Sequence, residues 1–187
     1  MNKNVFTRSL QELKNARTIT VCAMMGAAAL VLGAFSIYVT PTIRIGFSGL
    51  PNQFVAWLFG PAVGLLFNGS MDILKYFLKP MGGYFPPLTL VTMTAGAIYG
   101  CFFYGKPLSL GRILAAKLVV AVICNMILNT YCLSILMGKG FWGILPDRIV
   151  KNVIMWPIDS VIFYYVARVL EGAGLFRFMG ARLKSKK

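Results

Sequence analysis

The chain has 187 residues, 58% of them hydrophobic and only 13% charged, with a mean hydropathy of +0.73. A soluble domain is about a quarter charged, whereas the apolar blocks here leave room for about six helical membrane spans of roughly 20 residues each. Nineteen Lys and Arg against five Asp and Glu give a formal net charge of +14, but no basic helix with interleaved aromatics stands outside the apolar blocks, so the excess reads as topological and no nucleic-acid partner is expected.

In chain order, the first span covers about residues 18–39 and follows Lys3, Arg8, Lys14 and Arg17. Its apolar run is longer than a signal-peptide core of roughly 7–15 residues, so it reads as a retained span. The stretch "TPTIRIGFSGLP" (40–51) predicts a structured loop. The second span, 52–59, is short for a crossing and is expected to borrow residues from that loop. Gly60-Pro61 punctuates it before a third span at 62–78. "KPMGGYFPP" (79–87) predicts a turn-rich loop, followed by a fourth span at 88–104 and a fifth at about 110–137. "GKGFWGILP" (138–146) reads as a loop and 147–170 as a sixth span. The expectation is an all-α integral membrane protein with six transmembrane helices. A basic N-terminal segment (1–17) and a basic tail (171–187) flank the membrane domain (18–170).

Charge sets the orientation. The side with both termini collects Lys3, Arg8, Lys14, Arg17, Lys106, Arg112, Arg168 and the basic tail. The other side holds Arg44, Lys75, Lys79, Lys139, Arg148 and Lys151, and Lys117 is left inside the fifth span. Lys and Arg accumulate in cytoplasmic loops, so both termini are expected in the cytoplasm.

That orientation assigns depth. Asn68 falls near mid-membrane on the third span, with Asp72, Lys75, Tyr76 and Lys79 climbing its outer half. Asn125 and Asn129 do the same on the fifth span. On the sixth, Arg148, Asn152 and Trp156 recur at i, i+4 and i+8 beside Lys151, with Asp159 near the middle. A charge in hydrocarbon costs roughly 2.5–3.5 kcal/mol even on lenient insertion scales, so such groups face a partner or a wet cavity. Three stripes in one leaflet predict a pocket open to the outside. The alternative stays open for each residue: Asp72 pairing with a nearby lysine, asparagines joining helices, Lys75 and Lys79 snorkelling. In the first span "AMMGAAA" (23–29) is small and uncharged. There Ala23 and Ala27 suit close helix packing, within the protein or against a separate one.

Histidine is absent, which removes the usual zinc ligand and every Ser-His or Cys-His nucleophile pair. Cys22, Cys101, Cys124 and Cys132 lie in apolar blocks with no CxxC spacing and read as small hydrophobes. There is no GxxxxGK[ST] to cradle ATP. A pocket without an engine predicts a capture subunit driven by other proteins, and no metal or cofactor of its own is expected.

The runs "RIGFSGLP" (44–51), "LFGPAVGLLFNGSMDIL" (58–74) and "GGYFPPLTL" (82–90) resemble the substrate-binding S component of energy-coupling-factor (ECF) vitamin transporters, above all its folate-specific branch. "LNTYCLS" (128–134) and "PDRIVKNVIMWPI" (146–158) resemble the fifth and sixth helices of that branch, so the likeness extends over about 18–170. The resemblance implies a lipid-embedded, multi-pass protein of a bacterial cell membrane that captures a vitamin from outside, performs no chemistry and is not an enzyme. It also implies docking, through a small-residue motif matched by Ala23 and Ala27, to a transmembrane coupling subunit with two ATPases, which bind the ATP.

Folate suits the outward cations: it is a flat pterin and aminobenzoate ending in two carboxylates. Depth alone places Asp72, Asn125, Asn129, Asn152 and Trp156 around the ring. Arg44, Lys75, Arg148 and Lys151 fall nearer the mouth, with Tyr76, Tyr84 and Phe85 for stacking. The competing readings are an S component for riboflavin or pantothenate, an ion-coupled carrier using Asp72 and Asp159, and a scaffold whose polar stripes glue helices.

Overall fold

The computed structural model describes residues 5–35, 37–40, 43–78, 85–106, 109–138 and 140–172. Helices α1 (Val5–Glu12) and α2 (Ala16–Ala34) lead into an antiparallel hairpin of β1 (Ile37–Thr40) and β2 (Ile43–Ile45). Then come α3 (Gly49–Phe59), α4 (Pro61–Leu78), α5 (Pro86–Phe103) and α6 (Leu110–Val120). A π-helical segment (Ala121–Leu128) continues α6 into α7 (Asn129–Met137), and α8 (Phe141–Gly172) completes the described chain. Apart from the hairpin the architecture is helical.

Helices stand at all six predicted places, and four are long and apolar enough to cross a membrane: α2, α5, the continuous run from α6 through α7, and α8. α3 has 11 residues and rises about 16 Å, half of a hydrocarbon core. α4 has the length, but its polar stripe leaves it less apolar than those four.

Three boundaries correct the sequence reading. The first predicted span, α2, ends at Ala34 rather than near 39, because Ile37–Thr40, a run rich in β-branched residues, pairs as a strand with Tyr38 in register with Arg44. α3 begins at Gly49, so the loop lends it three residues, as its shortness required. The loop predicted at 138–146 contracts to its first residues. Gly138 closes α7 in the left-handed region at φ +63°, and α8 starts at Phe141 with Pro146 and Pro157 inside it. Each proline forfeits one ladder hydrogen bond, which a helix packed among others tolerates.

The α3–α4 turn is pinned from outside by α1. Gly60 takes φ +91° to end α3, and Pro61, whose missing N–H is no loss in a first helical turn, starts α4. The fully buried Ser9 hydroxyl donates to the Phe59 carbonyl at 2.7 Å and accepts from the Ala62 and Val63 amides, both at 3.1 Å. It thus caps both helices, and a Cβ on Gly60 would lie 2.9 Å from that hydroxyl. α4 and α5 then cross almost backbone to backbone, since a Cβ on Gly96 would run into the Gly64 carbonyl. Ser9→Ala would strand one carbonyl and two amides, a loss of about 1–3 kcal/mol. Thermal unfolding of the purified protein should show Tm falling by several degrees, with Thr7→Ala, on the exposed face of α1, unchanged.

Candidate ligand-binding site

A cavity of about 50 Å³ lies between α3, α5, α6, the π segment and α8, lined by Gln53, Tyr99, Lys117, Ala121, Asn125, Asn152, Met155, Trp156 and Asp159. Helical register explains its floor. Gln53, Tyr99, Lys117 and Asp159 each stand one turn from Trp57, Phe103, Ile113 and Phe163 on the same helix, all four of them buried. Phe163 stacks on Phe54 at 4.7 Å and on Phe103 at 5.6 Å, and meets Trp57 edge-on at 6.3 Å. A polar layer therefore rests on an aromatic layer that closes the bundle toward the α3–α4 turn.

Lys117 is the costly member of the polar layer, with only 5% of its surface exposed. Its Nζ donates to the Asp159 carbonyl at 2.6 Å and sits 5.4 Å from the centre of the Phe163 ring, a cation–π distance. Asp159 also lines the cavity and carries the opposite formal charge. Gln53 is buried too, and its Oε1 accepts no hydrogen bond among the described residues.

The π segment shapes the wall. A π turn holds more residues than an α turn and so re-aims the side chains that follow it. The buried Thr130 hydroxyl donates to the Asn125 carbonyl at 3.2 Å, holding the wide turn, while Asn125 Nδ2 reaches Asn152 Oδ1 at 3.4 Å. Trp156 donates Nε1 to the Leu114 carbonyl at 3.0 Å, which locks its indole between α6 and α8.

Of the residues predicted to bind, the structure brings Asn125, Asn152 and Trp156 together at this cavity. The α4 stripe points elsewhere. Asn68 accepts from Asn52 Nδ2 at 2.7 Å and donates to the Gly64 carbonyl at 2.8 Å, joining α4 to α3. Asp72 accepts from the Thr89 hydroxyl of α5 at 2.8 Å, and Lys75 Nζ lies 3.4 Å from the Ser48 hydroxyl before α3. Tyr76 is half-buried beside Phe77, and Phe85 packs against the apolar cluster that contains Val91 and Cys124. Asn129, Arg148 and Lys151 are half-buried nearer the far end of the bundle, where Asn129 Oδ1 accepts no hydrogen bond among the described residues. Arg44 lies in β2, and Tyr84 falls outside the described residues. On α2 the inward face is Thr18, Val21, Gly26, Ala29 and Gly33, leaving Ala23 and Ala27 exposed.

Residues 17–167 match the family model of the ECF transporter substrate-specific component. The chain belongs to that family. It is a membrane transport protein and not an enzyme. It is 35% identical to the folate transporter FolT of Clostridium novyi over 159 residues, covering 85% of this chain and 92% of the relative. It is 28% identical to the riboflavin transporter RibU of Staphylococcus aureus, over 88% of this chain and 97% of that one. Among solved structures, FolT bound with folic acid superposes with a TM-score of 0.75 at 32% identity, over 81% of this chain and 93% of the other.

Four residues that line the cavity stand outside the predicted binding set: Gln53, Tyr99, Lys117 and Asp159, the last of them placed on the sixth span's polar stripe but given only to the ion-carrier reading. Lys117 and Asp159 carried a signal, as charges stranded inside apolar spans. Gln53 and Tyr99 carried little, being single polar groups among aromatics. Asn68→Leu should lower Tm and leave ligand affinity within about threefold, while Asn125→Leu should do the reverse, a separation expected for sites that do not touch. Ligand titration and thermal unfolding of the two variants check this.

Proposed function

We propose that this chain is the folate-capturing S component of an ECF importer, embedded in the plasma membrane by six helices with both termini in the cytoplasm. The observation that carries the reading is the likeness to FolT bound with folic acid, which extends over most of both chains. The topology is supported by the grouping of cations. α1, the α3–α4 turn, the end of α5, the start of α6 and the end of α8 share one end of the bundle, where Leu13, Phe102 and Leu170 pack on one core. Arg8, Lys14, Arg17, Lys106, Arg112 and Arg168 belong to that end.

In this reading the pterin enters from the opposite end and settles on the polar layer, against Asn125, Asn152 and Trp156. Arg44, Arg148, Lys151 and Asn129 lie toward the mouth, where cations draw the two tail carboxylates. The cavity of about 50 Å³ is far below the roughly 300–1,000 Å³ of a ligand pocket, so binding widens it. Asp72 and Lys75 hold the hairpin side and α5 in place through Ser48 and Thr89. The chain performs capture alone. A transmembrane coupling subunit meets the exposed Ala23 and Ala27 of α2, and two ATPases supply the energy.

A second reading, riboflavin capture, is favoured by the likeness to RibU. Calorimetric titration of the purified protein separates the two: folic acid should bind saturably at one per chain, with riboflavin displacing it only at far higher concentration. Saturable riboflavin binding without folate binding would replace the first reading with the second. Ala27→Trp should preserve vitamin binding and abolish uptake by cells carrying the complete importer. Uptake at the wild-type rate would mean that the small face of α2 is not the docking surface.

A further inference from the structure

We propose that Asp159 and Lys117 together read the pyrimidine edge of the ring, so that Lys117 selects a 4-oxo over a 4-amino pteridine. The inference rests on the folate reading and goes beyond it to the atoms recognised. The edge of a 2-amino-4-oxo-pteridine presents, in order, two donors and an acceptor: the 2-amino group, N3–H and O4. Its complement is two acceptors beside a donor.

The cavity holds that set on adjacent faces of α6 and α8. Asp159 brings a carboxylate with two acceptor oxygens. Lys117 brings an ammonium of three protons, one of them committed to the Asp159 carbonyl. Gln53 Oε1, buried and accepting no hydrogen bond among the described residues, is a further acceptor for the second proton of the 2-amino group. The pair is formally neutral together, so an uncharged ring can settle on it without leaving one buried charge uncompensated.

The same set rejects close analogues. A 4-amino group sets a donor against the ammonium. The isoalloxazine of riboflavin presents acceptor, donor, acceptor, which turns a carbonyl oxygen toward the carboxylate. A buried site built to hydrogen-bond one group discriminates strongly against its replacement, because the mismatched partner is left unpaired.

Paired changes in protein and ligand test this on the full chain in lipid nanodiscs. Wild type should bind folic acid at least about tenfold more tightly than 4-amino-4-deoxyfolic acid, the worth of one charge-assisted hydrogen bond. Lys117→Met should weaken folic acid and bring the two compounds within about threefold of each other, the signature of a removed pairwise contact. Asp159→Asn should likewise close the gap between folic acid and its 2-desamino analogue. If Lys117→Met does not give folded protein by size exclusion, the wild-type preference and the Asp159 cycle decide. Folic-acid binding with both gaps unchanged, or a wild type that prefers the 4-amino compound, overturns the inference and leaves the folate reading standing. No folic-acid binding by wild type overturns both.

Discussion

The structure depends on how an ammonium group is kept inside a membrane bundle. Lys117 is almost fully buried, and an uncompensated charge there would cost several kcal/mol. It is held by a 2.6 Å hydrogen bond to the Asp159 carbonyl and by the face of Phe163, and Asp159 itself lines the adjoining cavity. Those partners come from α8, so retaining the lysine means holding α8 against α6. The hydrogen bond from Trp156 to the Leu114 carbonyl makes the same connection nearby. One turn away the helices carry Trp57, Phe103, Ile113 and Phe163, which exclude water from one side of the charge. The other side is the cavity.

A second polar system on α4 uses the same residue types for a different purpose. Asn68, Asp72 and Lys75 each reach a neighbouring segment, so the cost of burying them is offset by hydrogen bonds between elements. The close crossing at Gly64 and Gly96 brings α4 and α5 together, and Ser9 ties the α3–α4 turn to α1. The result is a bonded half, α3 to α5, facing a half in which a π segment and two prolines interrupt regular helix.

The six helical stretches were legible because long apolar runs and Gly/Pro punctuation act locally. So was the polar character of the wall, since Asn125, Asn152 and Trp156 fall at helical spacing and do meet at the cavity. The role of the α4 stripe was not legible. A polar stripe at i, i+4 shows that a helix face avoids lipid, but a ligand and a neighbouring helix satisfy it equally well. The neighbouring groups that Asn68, Asp72 and Lys75 reach, on Asn52, Thr89 and Ser48, are set by tertiary packing and carry no local signal. Strand β1 was hidden inside an apolar run, and the start of α8 behind a proline that a packed helix accommodates. The small face of α2 was ambiguous until the structure turned Gly26 and Gly33 inward and left Ala23 and Ala27 outside.

The central claim is that the polar layer formed by α3, α5, α6 and α8, and not the α4 stripe, is where the vitamin is recognised. A structure determined with folic acid bound tests it most directly. The account predicts the pterin over Lys117 and Asp159, beside Asn125, Asn152 and Trp156, with Asp72 still hydrogen-bonded to Thr89. A pterin lying along α4 against Asp72 and Lys75, with the cavity above Phe163 unoccupied, would contradict it.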